Sequence, residues 1–571
     1  MYECPNCGGN LRYDIPSKMM ACASCDSKFD PYEVSDKNGA QEQDEYEVTV
    51  FRCPQCGGEI YSTDTTAAGF CTFCGSSAVL ESRLQKEHRP KYIIPFGQTK
   101  EQCRKAYMKM MGKAVFAPKE LKSEKHINEF RGIYMPYWLY DVQQGGADVQ
   151  LKGTTEKRKG DYIITSHYNL ALDMNADYNG IAYDASSSFS DTISENLAPF
   201  DTREMKEFTP AYLSGFYADS ADVDNSLYAG EAEEFALGET QKFIEQYPNL
   251  RKYSIEEQGK MLQWKLHSTV DQVNGAMFPV WFMAYKNNNR VAYATVNGQT
   301  GKVVADLPVD VPKYLGASAI LTIPIFLLLN RFFTVIPSVL LGIVAMIAAV
   351  ISFVYYEQID DIAAQEGKEN DKGAIAIKRR RQRESHKKAP GGEDLAPKSD
   401  AQLAAAAEDE KKKDGVKAVV TSGSSVVELE DPRMAMRFFD VILMIVFLVG
   451  GFLTGGVLEQ YFTRITVGIS AVAITIFWFR AWFRMDDIDA RKGRGMGLTW
   501  ILLPTILSVA VALINPVSDL YYYSCAGILL ITMLIALVDL IRCYNLFATR
   551  PLPQFHYKGA SCIIKNVDVE N

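Results

Sequence analysis

Eight of the twelve cysteines lie within the first 74 of 571 residues. They form four CxxC pairs: Cys4/Cys7, Cys22/Cys25, Cys53/Cys56 and Cys71/Cys74. Fourteen residues separate the pairs in each half, and the second set repeats the first 49 positions later, an internal duplication. Two pairs at this spacing supply four thiolates, and zinc held by four sulfurs has no open position for catalysis. The expected cofactor is two structural Zn2+ ions. One is held by Cys4, Cys7, Cys22 and Cys25, the other by Cys53, Cys56, Cys71 and Cys74. A redox dithiol is the competing chemistry, and the paired spacing favours metal. Met1-Tyr2-Glu3-Cys4 has neither the basic nor the apolar part of a signal peptide, so none is expected and the thiols should stay reduced in the cytosol. Gly8-Gly9 and Gly57-Gly58 follow the first knuckle of each half, where the backbone must turn tightly past the metal. Gly75 follows the last knuckle. Asp26 holds the matching place in the first half and tolerates that turn less well.

The pattern CPxCGG…CxxC describes a rubredoxin-like zinc ribbon, in tandem over 1–32 and 50–82, with a polar, acidic linker at 33–49. Zinc ribbons often bind nucleic acid. Here residues 1–80 carry five basic side chains (Arg12, Lys18, Lys28, Lys37, Arg52) against twelve acidic ones, and the whole chain carries −9. A phosphate backbone would be repelled rather than neutralised. Protein partners are expected, and nucleic acid is unlikely to be one on this balance.

Residues 83–312 read as a cytosolic α+β domain. A helix is expected over 99–113 with Thr99 as its N-cap and Glu101 in its first turn. Gly132 to Trp138 and Gly275 to Trp281 share the pattern GxxxPxW, 143 residues apart. Trp138 and Trp281 read better as buried anchors at strand starts than as an aromatic docking site. Asn297-Gly298 between Val291–Val296 and Lys302–Ala305 is a hairpin signal. Gly298 to Val303 lacks the gap and the hydroxyl residue of a phosphate loop. HExxH and GxSxG are missing, and the six histidines (88, 126, 167, 267, 386, 556) form no ligand-spaced pair. No catalytic residue is assigned, and the chain is not expected to be an enzyme. Cys103, Cys525, Cys543 and Cys562 are given no role.

Six apolar segments follow, at about 315–329, 332–356, 438–458, 465–483, 498–514 and 520–541, most reaching the roughly 20 residues of a membrane crossing. The first two make a hairpin (314–356) and the last four a second region (436–544). The charged loop 357–435, with Lys378 to Arg381 and Lys411 to Lys413, reads as mostly disordered. Its run Ala374–Lys388 suits an anionic leaflet or simply fixes topology. Basic residues concentrate in that loop and in 484–497, which predicts a multi-pass protein with both termini, including the tail 545–571, in the cytosol. Asp440, Arg480 and Asp539 lie near segment ends, where snorkelling is easy, and Gly451 and Gly455 make a GxxxG. Missing mid-membrane charge weakens a transporter. The fold class is thus multidomain: two small β zinc ribbons, a cytosolic α+β domain and an α-helical bundle of about six transmembrane helices.

Tandem CPxCGG ribbons, the Ile93-Ile94-Pro95-Phe96 stretch, Tyr134 to Trp138 (YMPYW), Tyr212 to Phe216 (YLSGF) and a helical membrane end resemble a bacterial family of TFIIB-type zinc-ribbon membrane proteins, the YdjG-like proteins of Gram-positive bacteria. The resemblance covers about residues 1–356. It implies a membrane stress complex in the bacterial inner membrane with a flotillin-like SPFH protein and a TPM-type membrane protein, recruiting PspA. The four additional apolar segments and the charged loop depart from that pattern. The expected function is a non-enzymatic membrane adaptor that docks protein partners. The alternative is a channel or transporter subunit with a cytosolic zinc-ribbon regulatory domain.

Overall fold

The computed structural model describes residues 2–37, 45–55, 59–62, 71, 81–159, 162–188, 190–248, 250–256, 260–287, 290–332, 336–366, 371–373, 375–376, 459–485, 488, 496–548 and 550–551. Cys56, Cys74, Gly57, Gly58, Gly75, most of loop 357–435, the segment 438–458 with Asp440, Gly451 and Gly455, and the tail from 552 lie outside them.

The first cysteine half forms its own three-stranded sheet, β1 (Leu11–Asp14), β2 (Met19–Cys22) and β3 (Lys28–Phe29). Along β1, Leu11 and Tyr13 are buried while Arg12 is exposed, the period of a strand with one covered face. Helix α1 (Pro31–Lys37) follows, so the segment 33–49 holds a helix at its start and, at its end, part of β4 (Glu45–Arg52). Strand β4 pairs on one side with β5 (Glu59–Ser62) and on the other with β6 (Glu81–His88).

These three strands belong to a large mixed sheet whose spine is β8 (Arg131–Lys159) against β13 (Thr269–Asn287). The two GxxxPxW copies are antiparallel partners there. Gly132 faces Trp281, Gly275 faces Trp138, and Pro136 faces Met277. Each glycine leaves room for rings: a Cβ on Gly132 would lie 2.5 Å from Phe216, and one on Gly275 3.5 Å from Trp138. Buried Trp281 donates to the Gln98 carbonyl and half-buried Trp138 to that of Val223, so both rings are held by packing, but within their strands rather than at the strand starts expected. The duplicated motif is therefore a local two-fold in the sheet.

Helix α2 (Lys100–Lys113) starts at Thr99 in a capping box with Gln102. It buries Cys103, whose thiol burial pushes up to about 12. Strand β14 (Arg290–Asn297) turns back into β15 (Val303–Ala305) with Val296 opposite Val303, the hairpin expected at Asn297-Gly298. The Asn297 amide closes it onto the carbonyls of Leu197 and Pro199. Strand β9 (Tyr162–Asp184) completes a long hairpin with β8, and the two-residue strands β7 (Tyr92–Ile93), β10 (Lys206–Glu207), β11 (Tyr217–Ala218) and β12 (Ser254–Ile255) join the same sheet. Helices α4 (Asp191–Leu197), α5 (Ala229–Gln246) and α6 (Lys260–Lys265) pack on the sheet, after a single helical turn α3 (Glu124–Ile127).

Among the described residues four helices are long and apolar enough to cross a membrane: Pro337–Ala364, Thr463–Met485, Gly497–Ile514 and Asp519–Asn545. About six were expected. The stretch 315–329 lies in helix α7 (Val311–Phe332), which is not among the four. Its apolar run is shorter than the roughly 20 residues of a crossing, and Pro324 sits inside the helix. The four candidate spans belong to α8 (Pro337–Glu366), α9 (Glu459–Met485), α10 (Leu502–Ile514, entered through a 3-10 turn at Gly497–Ile501) and α11 (Asp519–Phe547). Some of their hydroxyls bond back to their own helices, as Ser352 does to Ala348 and Ser508 to Pro504, while Thr463 Oγ1 is buried with no partner among the described residues. Asp539 does not snorkel. It is buried, and its Oδ2 accepts from the Tyr355 hydroxyl (2.6 Å) and the Gly497 amide (2.9 Å). Gly497 is required for that approach, since a Cβ there would lie 2.5 Å from the Asp539 Cβ.

The helices are stapled to the sheet domain. Asn545 of α11 exchanges two hydrogen bonds with the Val309 backbone, and β16 (Arg550–Pro551) adds to β14. Lys313 reaches the Ala117 carbonyl.

Candidate metal centre

The two knuckles of the first half are built alike. Gly8 N–H donates to the Cys4 carbonyl and Asp26 N–H to that of Cys22. Both turns end in the left-handed region, at φ 70° for Gly8 and 56° for Asp26. Gly9 has a separate reason: a Cβ would lie 2.8 Å from Ser24 Oγ.

These turns bring Cys4, Cys7, Cys22 and Cys25 together, with their sulfurs within 4.8 Å of one another. Sγ–Sγ distances are 3.6 Å for Cys4 and Cys25, 3.5 Å for Cys7 and Cys22, and 3.3 Å for Cys7 and Cys25. A tetrahedron with Zn–S bonds of about 2.3 Å has S···S edges of about 3.8 Å, so the four residues fit one metal ion with little movement. Cys4 and Cys22 are buried while Cys7 and Cys25 are exposed, so the cage sits at the surface. Ser27, 3.3 Å from the Cys25 sulfur, holds that thiol down to about 6 through its hydroxyl and then its amide. The Ser24 amide likewise lowers Cys22. Both favour the thiolate a metal needs. The sequence reading missed Ser27. Its signal was a hydroxyl two residues past the last cysteine.

The cage is seated on the sheet domain by the YLSGF segment. Tyr13 N–H donates to the Ser214 carbonyl, and Ser214 Oγ donates to the Leu11 carbonyl at 2.6 Å. The Tyr13 ring meets Tyr212 edge-on at 5.2 Å and lies 6.5 Å from Phe216. Gly215 stands at φ 92° with Arg12 over it. Tyr32 donates to the Glu207 carbonyl, and buried Ser35 pairs with Thr209. Tyr2, Leu11, Tyr13, Met20 and Val34 share one core with Phe96, Tyr134, Tyr212 and Trp281.

In the second half Cys53 and Cys71 are both fully buried. The isolated bridge Glu3↔Asn10 of the first knuckle recurs 49 residues later as Arg52↔Glu59. The duplication is thus visible in backbone pairing as well as in cysteine spacing.

A second constellation had no sequence signal, because its members are far apart in the chain. Asp184, Asp191 and Asp371 are buried within mutual electrostatic reach. Asp191 Oδ1 accepts from the Tyr228 hydroxyl and Oδ2 from the Lys372 amide, both at 2.9 Å. Lys372 pairs with Glu231, and Ala376 enters the core beside Val223 and Tyr228. The residues just after α8 thereby clasp the sheet domain.

The arrangement defines a class: a cysteine-cage ribbon seated on a mixed-sheet domain that carries apolar helices. The chain is similar to YdjG, an uncharacterized protein of Bacillus subtilis (strain 168), with 28% identity over 316 residues, 54% of this chain and 90% of that protein. No family profile matches the chain. No solved structure matches it.

Proposed function

We propose that the chain is a non-enzymatic membrane adaptor of the bacterial inner membrane. Its ribbons and sheet domain present a docking surface to protein partners in a membrane stress response. The observation that carries this reading is continuity: hydrogen bonds run from the cysteine ribbon to the sheet domain and from the sheet domain to the apolar helices. A metal cage without an open position holds a surface in place rather than performing chemistry, and holding partners beside a bilayer raises their local concentration. Both cysteine halves carry Zn2+ in this reading, and both termini face the cytosol. The similarity to YdjG supports the YdjG-like assignment; PspA-like, flotillin-like SPFH and TPM-type proteins are the partners this reading proposes. The hydroxyls of Ser352, Thr505 and Ser508, which donate to carbonyls one turn back, favour an anchor over a water-filled path.

Affinity purification of the full chain in mild detergent, with mass spectrometry, tests the partners. A retained PspA-like or SPFH protein supports the adaptor; wild-type chain without any partner defeats it and favours transport. Metal analysis should find two zinc ions per chain, and reporters at residue 1, within 395–410 and at 571 should all be cytosolic. Deleting residues 1–80 is a poor test, because it removes β4 and β5 from the main sheet.

A further inference from the structure

A cavity of about 670 Å³ opens at the end of the helical bundle that adjoins the sheet domain. Its walls are Trp482 of α9, Trp500 of the 3-10 turn, and Leu534, Ile535 and Val538 of α11, with Arg542 also lining it. The volume falls in the range of about 300–1,000 Å³ typical of ligand sites. Trp500 and Leu534 are more than half exposed, and Trp482 and Ile535 nearly so.

The polar groups in it differ in availability. Thr499 Oγ1 already accepts from the Trp478 indole, and Asp539 Oδ2 holds Tyr355 and Gly497. Arg542 is exposed and makes no ion pair among the described residues. It stands one turn before Asn545, the residue that bonds the Val309 backbone, and so belongs to the end of α11 that adjoins the sheet domain. Two indoles and a cation at that level, above aliphatic walls, are the chemistry of a membrane interface. Basic pockets between membrane helices take lipid head groups. Inorganic phosphate alone would leave the aliphatic walls uncovered, and a fatty chain alone would leave Arg542 without an anion. A phospholipid satisfies both.

We propose that this cavity holds one phospholipid, its phosphate on Arg542 and an acyl chain along Trp500, Leu534 and Ile535. The proposal rests on the membrane-anchored reading. Fractionation tests that reading separately, since a chain that is not in the membrane fraction fails it before any lipid is counted.

The test is lipid phosphorus per chain, with lipid mass spectrometry, on full-length protein exchanged into mild detergent. Wild type should retain about one phospholipid more per chain than Arg542→Gln or Ile535→Trp. The first removes the charge and the second fills the slot; elution and thermal unfolding serve as fold controls. Retention equal to wild type in both variants overturns the proposal. So does displacement of the lipid by inorganic phosphate. A photo-crosslinking side chain in place of Ile535, activated in native membranes, should give a phospholipid adduct. A crosslink to the chain itself, for example within 438–458, would overturn the proposal by showing that protein fills the cavity.

Discussion

The two cysteine halves begin from one pattern and end in different settings. The first closes on itself as a three-stranded sheet and reaches the rest of the molecule through a seat of side chains and hydrogen bonds to backbone carbonyls at Ser214, Leu11 and Glu207. The second surrenders its strands to the main sheet. There β4 pairs with β6 over eight positions from Glu45↔His88 to Arg52↔Glu81, and β5 pairs with β11 (Tyr217–Ala218), which itself runs beside β8. The YLSGF segment leads into that same strand, so one stretch of chain seats the first half and pairs with the second. A duplicated metal motif thus fixes only its own turns. What lies outward of the cysteines decides whether the unit docks by side chains or by backbone ladder.

The comparison is broken or sharpened most strongly by removing a ligand from each half. Structural zinc contributes on the order of 10–16 kcal/mol to small domains that fold around it. Cys22→Ser should therefore lose one metal per chain, unfold the first ribbon and empty its seat. Cys53→Ser should also lose one metal, but should leave the β4–β6 ladder paired. Metal analysis with hydrogen exchange over β1–β3 and β4–β6 reads both, and equal disruption of the two halves would end the distinction.

Next in size is the seat. Tyr13→Ala should destabilise the first ribbon's docking by about 3–5 kcal/mol, as for other buried aromatics, while its metal content stays at wild type. The Tyr13 hydroxyl is buried without a hydrogen-bond partner among the described residues. Tyr13→Phe should therefore keep docking and raise the thermal midpoint. Metal loss in Tyr13→Ala would mean that the cage depends on the seat.

The clasp after α8 provides a charged contrast to that seat. Burial pushes Asp184 well above the usual carboxylate range, Asp191 up to about 8 and Glu195 to about 7. Asp371, Lys372, Glu231 and Tyr228 face the same cluster. Because the folded values are raised, the contribution of the carboxylic acids to stability is full below about pH 4. It falls as pH rises and is lost above about 8. Tryptic cleavage after Lys372 should increase between pH 6 and 8.5, and Asp191→Asn should flatten that profile.

The smallest effect compares the last knuckles directly. Asp26 holds φ 56° where the second half has Gly75. Asp26→Gly should stabilise the first ribbon by up to about 1 kcal/mol, read as a higher thermal midpoint of metal release.

The sequence by itself determined the features whose partners lie within a few turns of chain. The cage of Cys4, Cys7, Cys22 and Cys25 was legible because two knuckles and one short hairpin bring the ligands together. The capping box at Thr99, the hairpin at Asn297-Gly298 and four apolar helices were legible for the same local reason. Only the tertiary structure decided the pairing of the two GxxxPxW copies with each other, the use of YLSGF as a seat for a ribbon about 200 residues earlier, and the gathering of Asp184, Asp191 and Asp371. It also decided that Asp539 is held inside the bundle by Tyr355 and Gly497 rather than reaching for water. Residue type and spacing state what a side chain can do. Whether a distant backbone carbonyl, ring or carboxylate stands opposite it depends on strand register and helix packing, which no local pattern encodes.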